Sequence, residues 1–134
     1  MAQQSKAFTL IGWILSVLPC GLLLFSGAMK LQSSPEFLKE FTDRLGYPAG
    51  TAAPIGIAEI ASTLLFLIPR TSVLGAVLLT GYLGGAVATH VRAGDGPSQF
   101  LMPAIFGAVV WFGLFFRDAR IRALLPLRAC PRRD

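Results

Sequence analysis

The stretch AFTLIGWILSVLPCGLLLFSGAM, residues 7–29, decides the fold. Its 23 residues separate Lys6 from Lys30 and carry no charge. About 20 helical residues, at 1.5 Å of rise each, cross a hydrocarbon core about 30 Å thick. A barrel strand would alternate apolar and polar residues, and Leu22-Leu23-Leu24-Phe25 does not. The stretch reads as a membrane-spanning α-helix.

Three further gaps of the same kind follow. Arg44 and Arg70 enclose 25 residues interrupted once, by Glu59. Arg70 and Arg92 enclose 21 residues in which only His90 titrates, and Asp95 and Arg117 enclose 21 more. The sequence thus predicts an all-α protein, an up-down bundle of four transmembrane helices over about 8–29, 51–69, 71–91 and 97–116. With 134 residues it forms one membrane domain, and its 14% of charged residues, against about a quarter ordinarily, excludes a soluble domain, a disordered chain and a disulfide scaffold. The first span is longer than a signal-peptide core and is expected to stay as an uncleaved anchor.

Charge placement sets the expected orientation. An even number of spans puts both termini on one side, together with Lys6, Arg70 and a basic tail over 117–134 that carries Arg117, Arg120, Arg122, Arg128, Arg132 and Arg133. The other side has Lys30, Lys39, Arg44 and Arg92. The excess of basic residues places both termini in the cytoplasm and the tail against anionic lipid. Nothing accompanies the tail that would read nucleic acid. Cys20, within a span, and Cys130, in the tail, are too far apart to pair.

Between the first two spans, Ser34 caps and Pro35 opens a short amphipathic helix over about 35–45 at the external interface. Phe37, Leu38, Phe41 and Leu45 take one face, and Gly46 and Pro48 end it. A surface helix covering helix ends is the preferred reading, over a lid on an outward-facing pocket. Pro69-Arg70-Thr71 makes the next two spans a hairpin. Pro19 and Pro103 fall inside spans and are expected to kink them. Close helix packing is expected at Gly56 and at the G-x-x-x-G pair Gly81 and Gly85, within the bundle in preference to between protomers, although a homo-oligomer is also compatible with such stripes.

Glu59 is the residue out of place. A carboxylate near mid-membrane costs about 3 kcal/mol or more unless it is neutral or paired. Lys30 and His90 end their spans on the same side, with Ser26 one turn before Lys30 and Tyr82 two turns before His90. Glu59, Lys30, His90, Ser26 and Tyr82 are therefore expected to form a buried polar cluster or to line an outward cleft with apolar walls. One His and one Glu are too few to specify a metal. No phosphate-binding loop, nucleophile elbow or zinc-protease helix occurs, and a single histidine does not suit a haem held between helices.

Gly27-Ala28-Met29-Lys30-Leu31, Leu45-Gly46-Tyr47-Pro48, Ile57-Ala58-Glu59-Ile60, Leu67-Ile68-Pro69-Arg70, Gly75-Ala76-Val77-Leu78-Leu79 and Gly84-Gly85-Ala86-Val87-Ala88-Thr89-His90, in that order, resemble the DoxX-like family over about residues 12–115. The resemblance implies a small bacterial four-helix protein of the inner membrane, with Lys30 and Glu59 at matching positions. It implies no single activity, because the family includes a subunit of a quinone-linked oxidoreductase, partners in oxidative-stress complexes and an assembly chaperone for receptors. The leading expectation is a non-catalytic bundle, with no cofactor, binding a membrane-protein partner or a hydrophobic small molecule in its outer half. The alternative is an accessory subunit of a quinone-linked oxidoreductase in which Glu59 and His90 exchange protons.

Overall fold

The computed structural model describes residues 5–125. Arg128, Arg132, Arg133 and Cys130, and with them most of the basic tail, lie outside the described residues.

The described chain is all-helical: α1 (Lys6–Gln32), α2 (Pro35–Lys39), α3 (Ala52–Leu67), α4 (Ser72–Arg92), α5 (Pro97–Arg117) and α6 (Ala119–Leu124). Helices α1, α4 and α5 are long and apolar enough to cross a membrane, whereas α3 has 16 residues, about 24 Å of rise. Expected and observed boundaries differ by a few residues. α1 runs on to Gln32 because Ser33 closes it in the left-handed region (φ 50°), its amide donating to the Met29 carbonyl at 3.0 Å. α3 stops at Leu67, short of the expected 69, since Pro69 cannot continue a helix and Ile68 is already extended. Pro19 and Pro103 sit inside α1 and α5, which remain continuous helices.

The four larger helices close a ring in which α1 packs on α3 and α5, and α4 on α3 and α5. The start of α1 meets the end of α5, where the Gly12 and Gly113 backbones touch. The end of α1 meets the start of α3 through Gly27 and Gly56, and a Cβ on Gly56 would lie 2.8 Å from the Gly27 carbonyl oxygen. The closest approach is between α3 and α4, where a Cβ on Gly75 would run into the Phe66 backbone.

The core gathers Cys20, Leu23, Phe66, Ala76, Leu79, Leu83, Val110 and Leu114, with Ile121 of α6. These residues fill the half of the bundle nearest the termini. The other half is less filled: α5 buries only Val110, Gly113 and Leu114, all beyond Pro103. Large apolar side chains such as Leu18, Leu22, Phe25, Val77, Ile105 and Phe112 project outward, as they do where lipid and not water is the surrounding medium. The chain is a multi-pass membrane protein.

α6 was not separable from the basic tail in the sequence. Asp118 caps it by accepting from the Arg120 amide at 2.9 Å, and the Arg122 guanidinium donates to the Phe115 and Phe116 carbonyls at the end of α5.

Candidate functional site

A cavity of about 510 Å³ occupies the loosely filled half of the bundle, in the size range of pockets that hold drug-sized molecules. Its floor is the Lys30–Glu59 pair. The Lys30 ammonium lies 2.8 Å from Glu59 Oε2 and donates to Ser26 Oγ at 2.6 Å, while the Ser26 hydroxyl donates back to Glu59 at 3.4 Å. Glu59 is 1% exposed. A charge so deeply buried stays only with a partner, and Lys30 supplies it. Gly56 makes the approach geometrically feasible: without a side chain, it lets Lys30 Cβ settle against α3 one turn from Glu59.

Tyr82 lines the same cavity and interacts with the Glu59 carboxylate, so four of the five expected polar residues share one floor. His90 also lines the cavity, but its hydrogen bond turns outward. Its Nδ1 meets Asp95 Oδ2 at 2.5 Å instead of reaching Glu59. Asp95 sits in the turn between α4 and α5, five residues on, and the sequence offered no reason to pair the two across that turn.

Gly81 and Gly85 depart from the expected packing. A Cβ at either would meet open space, and both glycines line the cavity. They do not bring α4 against another helix of the chain; that contact is made a turn and a half earlier, at Gly75.

The amphipathic segment closes the outer end of the cavity. Phe37, Phe41 and Leu45 all line it. In an ideal α-helix, side chains eight residues apart diverge by about 80°. Here Glu40–Arg44 forms a wide π-type turn, with the Leu45 amide bonded to the Glu40 carbonyl at 3.2 Å. The wider turn reverses that drift and keeps the three side chains on one face. Phe41, 3% exposed, stacks between Phe37 and Tyr47. The segment is thus a cover over a cavity, where the preferred sequence reading had only a surface helix.

Three polar contacts tie this cover to α4 and the turn after it. Arg44 Nη1 meets Asp95 Oδ1 at 2.6 Å, Arg92 donates to the Leu45 carbonyl at 2.6 Å, and the Tyr47 and Thr89 hydroxyls share a 2.6 Å hydrogen bond. Sequence reading missed Tyr47, Thr89, Arg44 and Asp95; Tyr47 within Leu45-Gly46-Tyr47-Pro48 was the available signal.

The family model described as the DoxX-like family matches residues 14–113. The chain belongs to the DoxX-like family. That match spans the cavity floor, the cover, α3 and α4, and most of α1 and α5. No curated protein and no solved structure matches the chain.

In this DoxX-like chain the hydrogen bond from His90, and next the one from Arg44, hold the Asp95 carboxyl below the usual carboxylate range. A depressed carboxyl adds stability that is present above its ordinary value and lost as the pH falls through its folded one. The latch should therefore be intact from neutral pH down to about pH 4 and loosen below that. Hydrogen exchange of the 37–46 amides as a function of pH reads this directly. Asp95→Asn should leave those amides exchanging fast already at pH 7; equal protection in the variant would show that Asp95 does not hold the cover.

Proposed function

We propose that the chain is a four-span, non-catalytic binding module whose cavity holds a hydrophobic small molecule at the Lys30–Glu59 pair. The observation that carries this reading is a cavity of about 510 Å³ with apolar walls and one internally neutralised polar floor. Walls built from Leu22, Leu23, Ile55, Leu83, Met102 and Phe106 reward apolar contact, while the floor offers hydrogen bonds without net charge. α3, although short, brings the count of spans to four when Ile68 to Arg70 reach the interface. Both termini then lie on the side of Arg70 and Arg117, the side that the charge bias makes cytoplasmic.

The test is to purify the full chain from membranes in mild detergent, extract it and identify what accompanies it by mass spectrometry. Wild type should carry a hydrophobic molecule in near-stoichiometric amount. Glu59→Gln keeps the shape but leaves Lys30 uncompensated, and should reduce retention by about tenfold, roughly 1.4 kcal/mol. A wild-type protein that carries nothing, and that binds none of a long-chain alcohol, an alkylphenol and a quinol analogue, would overturn the reading.

A further inference from the structure

The four lining residues left exposed are Leu22 of α1, Gly81 and Gly85 of α4, and Met102 of α5. None belongs to the cover or to the loops. Counted from the outer ends of their helices, they lie about 8–16 Å deep, and Glu59 lies about 10 Å deep. The opening is therefore level with the ion pair and lies between helices, whereas the outer end is shut by Phe37, Phe41 and Tyr47 and held by Arg44 and Arg92. The rim stays open for two reasons. α5 has no fully buried residue before Val110, and its first core contact is made by Phe106, one turn beyond Met102. Gly81 and Gly85 project no side chain into the gap.

We propose, resting on the cavity reading above, that the cavity is loaded sideways from the membrane through the rim of Leu22, Gly81, Gly85 and Met102, and that its occupant is a neutral amphiphile with one hydrogen-bonding head, of the alcohol or phenol class. Lys30 and Glu59 already neutralise each other, so a charged head arriving at the floor finds no free counter-charge. A hydroxyl head can both donate to the Glu59 carboxylate and accept from Lys30, Ser26 or Tyr82. The apolar body then extends from the floor through the rim into the lipid, with no need for the cover to open.

The experiment uses the full chain in phosphatidylcholine nanodiscs and three photoreactive probes of equal chain length, ending in a hydroxyl, a carboxylate and a trimethylammonium group. Crosslinked residues are mapped by mass spectrometry. The alcohol should label cavity residues at least about tenfold more than either charged probe. Gly81→Leu and Gly85→Leu each fill open space in a helix. Each should slow both capture and release of the alcohol by about tenfold, with thermal stability retained. Arg44→Gln with Arg92→Gln unfastens the cover and should change the capture rate by less than about twofold. Equal labelling by a charged probe overturns the proposed class. Faster capture on unfastening, with no slowing in the glycine variants, overturns sideways entry while leaving the cavity reading intact. Absence of cavity labelling by every probe overturns both.

Discussion

Lys30→Met should destabilise the protein by about 3–5 kcal/mol, the cost typical of removing one member of a buried ion pair. The variant keeps the length and most of the packing of the side chain but leaves Glu59, 1% exposed, without its counter-charge. Ser26 and Tyr82 remain beside the carboxylate, but neither carries a counter-charge. Chemical unfolding in mixed micelles gives the magnitude. Lys30→Met combined with Glu59→Leu should recover most of the loss, because two apolar side chains of similar volume satisfy each other where one charge cannot. If the single variant were as stable as wild type, the pair would be incidental to the fold. If the double variant recovered stability but not retention of a hydrophobic molecule, the pair would be kept for binding and not for folding.

Gly75→Val should be the most damaging single substitution in the helical packing. The atoms a Cβ would meet at this position belong to the backbone of Phe66 and Leu65, which cannot rotate away as a side-chain tip can. Overpacking costs about 1–3 kcal/mol where neighbours yield, and a rigid backbone puts the expected loss at or above the upper end. The α3–α4 hairpin would have to open, and with it the core around Phe66, Ala76 and Leu79. Gly85→Val is the matched control. It adds the same atoms to the same helix in open space and should leave stability within about 1 kcal/mol of wild type. Parallel thermal denaturation of the two variants checks the contrast; equal losses would mean that the small residues of α4 act through helix propensity and not through contact.

That contrast marks how far the sequence could be read. Gly-Ala-Val occurs at 75, 85 and 107, and the three copies are indistinguishable as sequence. In the fold Gly75 is locked on Phe66, Gly85 borders the cavity, and a Cβ on Gly107 would rest in ordinary contact, 3.8 Å from Leu83 Cδ1. Within the chain, Gly81 and Gly85 do not make the close packing their spacing suggests, because spacing names a face and not what stands opposite it. The pairing of His90 with Asp95 was hidden for a related reason: it depends on how the turn after α4 folds back, which no helical periodicity encodes. The cover was read as surface because an amphipathic face predicts burial of its apolar side without saying whether a filled core or a cavity lies beneath.

The sequence by itself determined the medium and the anomaly. Long uncharged runs can cross a bilayer only as helices that satisfy their own backbone, and a lone carboxylate in such a run must find a partner, with Lys30 in range by depth alone. Tertiary structure alone decided that the partner is reached through Gly56, that the bundle leaves a cavity beside the pair, and that Gly81 and Gly85 border this cavity and do not meet another helix of the chain. Hydropathy is a property each residue has with respect to solvent, and it adds along the chain. Contact is a property of pairs, and it exists only once the helices have been placed.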